Sequence, residues 1–265
     1  MQKRIKLHQH VDVSTAAQCR IPIFQPTRRP RYIKGVEVST GYGRAVIDGK
    51  IGQQHRDFIE CCRLTALEQG LDGVNRYCCI VDPNKLRTAM SAGKRTSEGK
   101  TARVCWLQLK DIAEDLRRCE ISDVEIYSRP GWGVVTAGIL DSVTFKGVGI
   151  VEGKTGHGCQ VGERELWKVP FSEAWTSLIG VDLPVSYRGQ LQSIIKLRHG
   201  VSQAVARLML SHSPGATYSI NEALAFVGAA SISTRRHRRG ELLADADALA
   251  EMGILIAGEM LVAEA

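Results

Sequence analysis

The sequence has no long apolar run, and this absence sets the first limit on what the protein can be. No stretch approaches the roughly 20 consecutive apolar residues that a membrane-spanning helix needs, so no membrane partner is expected. The basic start, residues 1–6, is not followed by an apolar segment, so a secretory signal is not expected either. We expect a cytoplasmic protein.

Metal-binding and redox cysteine motifs are also absent. The chain has eight cysteines, two pairs of which are adjacent, but no Cys-x-x-Cys. This spacing suits neither a zinc ribbon nor a redox motif, and it predicts free thiols that fill the core in a reducing cytosol. His157 and Cys159 are too few to hold a metal ion. The sequence therefore predicts no metal and no other cofactor.

Catalytic signatures are missing as well. The segment 147–155 resembles a phosphate-binding loop, but Val148 stands where its first glycine should be, so a glycine-rich connection is the preferred interpretation. The histidines are scattered, and no cluster of acidic residues or distinctive tyrosine motif indicates a nuclease or recombinase. Asp245 and Asp247 point apart on a predicted helix, so we expect both to be solvated. We expect no enzymatic activity, and the weakest rival is an enzyme that uses the segment around Lys154.

What the chain does have is positive charge. It contains 265 residues, 44% hydrophobic and 24% charged, which is ordinary for a globular protein. Lys and Arg number 35 against 28 Asp and Glu, a formal net charge of +7. Such a balance favours nucleic acid or another anionic partner.

The positive charge is most concentrated near residue 235. Arg235-Arg236-His237-Arg238-Arg239 precedes apolar residues at helical spacing, Leu242, Leu243, Ala246, Leu249 and Ala250. Extended backward, their stripe includes Arg235 and Arg239, and arginine does not stay unpaired in a core. The first half of the helix should therefore project toward an acidic partner, as a recognition helix enters the DNA major groove. The alternative is a solvated basic face.

The preceding segment supports the DNA interpretation. Ser219 and Glu222 form a capping box at the start of a short helix, and Gly228 can end it in the left-handed conformation. Ala229 and Ala230 then form a tight turn. Short helix, turn and basic second helix predict a helix-turn-helix. The predicted DNA-binding residues are Ser231, Ser233, Thr234, Arg235, Arg236, Arg238, Arg239 and, on a more distant hairpin, Arg129.

The helix-turn-helix belongs to a plan that occurs twice along the chain. Helices are predicted over residues 53–69, from Pro83, and over 102–119, and β-hairpin signals follow to about residue 151, with Arg129 and Trp132 at the tip. Helices over 187–197 and 201–211 lead into the helix-turn-helix, which a short hairpin over 254–262 follows. Three helices and a hairpin predict a winged helix, so we expect an α+β fold of two tandem winged-helix domains.

We divide the chain accordingly into three parts. Residues 1–50 are expected to form an extended arm and hairpin, with a basic patch at 27–31 that either follows phosphates or belongs to a disordered tail. Residues 51–182 form the first winged-helix domain, and residues 183–265 form the second.

With these features the chain resembles the iteron-type plasmid replication initiators, which have two winged-helix domains. The resemblance spans about residues 41–265, and three stretches carry it, 41–57, 197–212 and 235–253. The last of these has paired arginines before a leucine-rich helix. The final hairpin is shorter than the family pattern.

The resemblance implies a function as well as a fold. It implies binding to repeated duplex sites at a plasmid origin, read by the second domain, with DNA backbone contacts and dimerisation from the first. Dimers would act as repressors, whereas monomers would open the origin and recruit the host initiator and helicase. A transcriptional repressor on the same fold remains the alternative.

Overall fold

A computed structural model of the chain describes residues 12–72, 76–92, 97, 99, 102–129, 133–141, 150–154, 161–229 and 231–264. Within these residues the chain forms ten α-helices and five small sheets. The expectation of a mixed α and β fold is confirmed. Among the described residues no helix is long and apolar enough to span a bilayer.

The first described segment is not an extended arm, contrary to expectation. Strand β1 (Ser14–Thr15) leads into helix α1 (Ala16–Arg20), which a capping box between Thr15 and Gln18 begins. Ala16 and Ala17 are buried in the core, because hydrophobic residues follow one another here more densely than a solvated arm allows. Part of the basic patch also packs inward, since the Arg28 guanidinium donates to the backbone oxygens of residues 195 and 197.

The predicted hairpin follows and opens the first half of the molecule. It consists of β2 (Ile33–Ser39) and β3 (Gly43–Gly49). After it come α2 (Gln53–Thr65), β4 (Ala66–Leu71), β5 (Tyr77–Val81), α3 (Pro83–Met90), α4 (Trp106–Arg118), β6 (Glu120–Ile126) and β7 (Gly133–Ala137). The order of helices before a hairpin is as expected.

The helix predicted over residues 53–69 is shorter in the structure. It ends at Thr65, and the chain continues as β4, which pairs antiparallel with β5. Gly70 has φ of +154°, which is incompatible with a helix. Cross-strand pairing outweighs the local helical pattern here.

Two sheets shape this half, and the chain then crosses to the second half. Strand order is β2-β3-β6-β7 in the larger sheet, and β5 lies between β4 and β10 in the other. The connecting elements are β8 (Ile150–Lys154), β9 (Val161–Glu165), β10 (Trp167–Pro170) and α5 (Glu173–Val181). The part of the glycine-rich segment that the structure describes is thus strand β8, paired with β9. Residues 147–149 and 155 lie outside the described residues.

The second half begins with β11 (Pro184–Val185), which pairs with β1. Helix α7 (Gly200–Leu210) follows as predicted, but α6 (Leu191–Lys196) is shorter than the helix predicted over 187–197, because Tyr187 and Arg188 have φ of +51° and +52°. The remaining elements are β12 (Thr217–Ser219), α8 (Ile220–Phe226), α9 (Ile232–Leu243), α10 (Ala246–Ala250), β13 (Ile254–Ala257) and β14 (Met260–Ala263). Strand β14 lies between β12 and β13, so the last hairpin completes a three-stranded sheet.

One continuous hydrophobic core joins both halves. It extends from Val13 to Ala263, and helix α7 contributes seven residues to it, from Val201 to Leu210. Charged side chains also cross between the halves: Arg207 of α7 pairs with Asp57 and Glu60 of α2. The division of the chain at residue 182 stays a prediction.

Six of the seven described cysteines fill the core as the sequence predicts, and Cys105 does not. Cys105 is exposed, and the other free thiols are buried: Cys19, Cys61, Cys62, Cys78, Cys79 and Cys119. Burial raises the pKa of Cys79 and of Cys119 to about 12, so both are protonated thiols at neutral pH. His157 and Cys159 lie outside the described residues.

Candidate nucleic-acid interface

The pair α8 and α9 has the caps that its sequence predicts. Ser219 Oγ accepts from the backbone N–H of Glu222 at 3.2 Å, and the Glu222 carboxylate accepts from the N–H of Ser219 at 2.9 Å. Gly228 has φ of +94°, and the N–H of Ala229 returns to the carbonyl of Leu224 at 2.9 Å. These contacts end α8 with a glycine in the left-handed conformation, as the sequence predicts.

Helix α9 stands away from the core over most of its length. Its one buried residue among those described is Leu242, near its C-terminus. Ser231 caps the other end, where its hydroxyl accepts from the N–H of Thr234 at 3.1 Å and bonds the Thr234 hydroxyl at 2.7 Å. Ser233 is exposed. The free N–H groups and the positive end of the helix dipole lie on this projecting end, which favours anions.

The four arginines of α9 differ in their surroundings. Arg236 is exposed, while Arg235, Arg238 and Arg239 are partly covered. Arg238 donates to Glu241 on the same helix at 2.6 Å. Arg239 forms a double hydrogen bond with Glu259. Arg235 and Arg236 have no ion-pair partner within the described part of the chain.

A groove runs along the projecting face, between the first turns of α8 and α9. Its lining residues are Asn221, Ile232, Arg235, Arg236 and Arg239. Ile232 is 79% exposed, although it is large and apolar. A surface of guanidinium groups, an amide and one aliphatic side chain matches the donors, acceptors and thymine methyl groups that base edges present in the major groove.

The hairpin of β13 and β14, residues 254–263, is called the C-terminal hairpin below, and it lies beside this face. Gly258 and Glu259 form its two-residue loop, since Ala257 pairs with Met260. The hairpin is as short as the sequence predicts.

Sequence reasoning missed three residues of this site, namely Asn221, Ile232 and Glu259. Ile232 had a usable signal, because it is an aliphatic residue directly after the Ser231 cap and lies on the same helical stripe as Arg235 and Arg239. Asn221 and Glu259 had none, because the fold brings them to α9 from other elements.

Arg129 does not join this site. It is exposed in the loop after β6, in the first half of the molecule, and its N–H donates to the carbonyl of Ile126 at 2.8 Å. Trp132, the other predicted tip residue, lies outside the described residues. The structure thus groups seven of the eight predicted residues on α9 and its cap and leaves Arg129 in the loop after β6.

Helix α4, the helix before β6 in the first half, carries a more balanced surface. Glu114 pairs there with Arg117 and Arg118. The hydrogen bond from Arg117 and the charges of both arginines lower the pKa of Glu114 to about 2. The unbalanced positive charge on α9 makes that helix the stronger candidate for contact with DNA.

One expectation near α9 is wrong. Asp245 is not a solvated residue of a continuous helix but is buried in the break between α9 and α10. Its carboxylate accepts from the backbone N–H of His199 at 3.0 Å and lies 3.1 Å from the His199 ring nitrogen Nδ1. Asp247 is exposed, as expected.

The fold is similar to a solved structure of domains 2 and 3 of RctB. The two align with a TM-score of 0.52 over 92% of this chain and 89% of the RctB chain, at 12% sequence identity. At an identity this low, the alignment establishes similarity of fold alone. No protein-family model and no curated protein matches the sequence.

Proposed function

We propose that the protein binds duplex DNA in a sequence-specific manner, with α9 in the major groove. The observation that carries the proposal is the basic N-terminal part of α9, which projects from the core with Arg235 and Arg236 unpaired among the described residues. The order α7, β12, α8, α9 and C-terminal hairpin is that of a winged helix. We assign the first half to the same class, with α2, α3 and α4 before β6 and β7.

The biological role that we propose is initiation of replication, with no enzymatic activity. RctB is a replication initiator of Vibrio, and the likeness of fold extends over both halves of this chain. A repressor needs one DNA-binding unit, so a second unit favours an initiator. The resemblance to iteron-type initiators adds plasmid origin repeats as target, a homodimer in equilibrium with monomer, and the host initiator and helicase as partners.

A transcriptional repressor is the second candidate, because α8 and α9 would serve it equally well. The two functions predict different binding maps. Footprinting on the replicon that encodes the protein should give clustered direct repeats for an initiator and one inverted repeat at a promoter for a repressor.

Replication itself is the decisive test. A plasmid that carries the footprinted region should be maintained when this protein alone is supplied in trans. The Arg235→Ala, Arg236→Ala double variant should fail to maintain it while it stays folded. Binding without any origin that depends on the protein would overturn the initiator role and leave the repressor.

A further inference from the structure

The ion pair between Arg239 and Glu259 joins the middle of α9 to the loop of the C-terminal hairpin. Both terminal nitrogens of the Arg239 guanidinium donate, Nη1 to Glu259 Oε2 and Nη2 to Oε1. Each side chain lowers the free energy of the other's charged form, so the pair raises the pKa of Arg239 and lowers that of Glu259. Two parallel bonds fix the plane of the guanidinium as well as its position.

The backbone holds Glu259 in place for this contact. Gly258 has φ of +63° whereas Glu259 does not have a positive φ, which is the pattern of a type II′ turn with glycine in its first central position. The carbonyl of Glu259 also accepts from the N–H of Ile220, the first residue of α8, at 2.8 Å. The loop is therefore attached to the helix-turn-helix by its main chain, independently of the ion pair.

The pair leaves the base-reading edge of Arg239 available. A guanidinium has five N–H donors in a planar fork, and the contact with Glu259 uses one hydrogen on each terminal nitrogen. Nε–H and the second hydrogen of Nη2 remain, parallel to each other along the adjacent edge. That edge matches O6 and N7 of guanine, the commonest specific contact of arginine in the major groove.

We propose that Glu259 is a positioning residue that orients Arg239 for one guanine of the bound DNA. The inference rests on the proposed function, since it requires α9 to lie in the major groove. It assigns the C-terminal hairpin a role in specificity that its short length did not predict. The opposite role is that Glu259 competes with DNA for Arg239.

A measurement of base preference distinguishes a Glu259 that orients Arg239 from one that competes with DNA for it. The probes are a duplex selected from a randomised library by the wild-type chain, the same duplex with each guanine replaced in turn, and a mixed-sequence duplex of equal length. The variants are Glu259→Gln, Arg239→Ala, both together, and Glu251→Gln as control. Glu251 is exposed on the same half of the molecule, so its substitution removes an equal charge elsewhere.

We expect Glu259→Gln to reduce discrimination at one guanine by about tenfold, the low to middle range for one bidentate contact. Arg239→Ala should lose discrimination at the same guanine, and the double variant should lose no more than Arg239→Ala alone. Glu251→Gln should retain the preference. A loss at one position that depends on Arg239 is not the effect of a merely structural change.

Two results would overturn the inference while the proposed function stands. One is an unchanged preference in Glu259→Gln, and the other is tighter binding of this variant to every duplex, as competition predicts. If the wild-type chain selects no duplex at all, the proposed function fails first and the role of Glu259 fails with it.

Discussion

At the scale of single residues, the arginines of α9 are not equivalent, because their partners differ. Arg235 lines the groove and has no ion-pair partner among the described residues, whereas Arg238 is paired with Glu241 on its own helix. The first is available to base edges, and the second is held at the side of the helix. The basic run therefore contains an arginine that is paired on its own helix and one that has no ion-pair partner among the described residues.

We predict that Arg235→Ala removes about 1–3 kcal/mol of base discrimination, the range for one good bidentate contact. Arg238→Ala should weaken binding evenly across sequences and reduce the salt slope of log K by about one unit, as loss of a phosphate contact does. Binding to selected and scrambled duplexes at several salt concentrations distinguishes them. If both substitutions leave both affinities unchanged, the assignment of α9 to DNA is wrong.

Another single residue, His55, makes the stability of α2 sensitive to acid. Its Nδ1 accepts from the N–H of Gly52 at 3.2 Å, and its Nε2 lies 3.2 Å from Asp115 Oδ2. Burial lowers the pKa of His55, and the hydrogen bond and charge of Asp115 oppose this only in part; nearby Lys50 lowers it further. Protonation would also put a hydrogen on Nδ1, where the bond from Gly52 requires a lone pair.

The sign of the pH effect follows from the lowered pKa. Below the unfolded value of about 6.5 the unfolded chain binds a proton that the folded chain resists, so stability falls as pH drops from there toward the folded pKa. We expect the wild-type melting temperature to decrease more between pH 7 and 5 than that of His55→Gln. Glutamine keeps an acceptor for the cap but does not titrate. Equal decreases in the two proteins would contradict this account.

At the scale of elements, the sequence predicts those that begin or end with local signals. The capping box of Ser219 and Glu222 starts α8, and Asp82 before Pro83 starts α3, as their side chains and φ preference require. Elements that depend on distant partners were missed. Strand β4 exists because it pairs with β5, and α1 exists because the core covers it.

The same distinction applies to the candidate site. The run of arginines and the Ser231 cap lie within one segment, so their place on a projecting helix follows from spacing alone. Glu259 reaches Arg239 from another element, 20 residues along the chain. Periodicity carries no information about such a contact, since two elements must first pack.

The break between α9 and α10 gives a prediction at this scale. Asp245 connects it to the start of α7 through the backbone N–H of His199 and, at 3.4 Å, that of Arg198. Asp245→Ala removes a buried acceptor and leaves these donors without their partner, which we expect to cost about 1–3 kcal/mol of unfolding free energy.

Asp247→Ala is the matched control for this substitution. Asp247 has the same side chain two residues further on but is exposed, so its removal should change the unfolding free energy by less than about 0.5 kcal/mol. Denaturant unfolding measures both. Similar losses in the two variants would show that the contact with α7 contributes nothing specific.

At the scale of the whole molecule, a buried charged network joins the two halves. Arg207 of α7 donates to Glu60 at 2.9 Å, to Asp57 at 2.6 Å and to Gln53 at 2.9 Å, all on α2. Burial raises the pKa of Glu60, but Arg207 and Arg56 outweigh it and hold this pKa below its ordinary value. The carboxylate is therefore charged in the core, where it needs both partners.

The last prediction follows from that dependence. Arg207→Met should cost about 3–5 kcal/mol, because the buried Asp57 carboxyl, whose pKa burial already raises, would lose its guanidinium partner while Glu60 keeps Arg56. Arg207→Met combined with Asp57→Leu should recover much of this, since apolar side chains of similar size replace a buried pair at little cost. Denaturant unfolding of the wild type and both variants measures the difference. If the double variant is no more stable than the single one, the orphaned carboxylate is not what destabilises it, and the network holds α2 against α7 by packing rather than by charge.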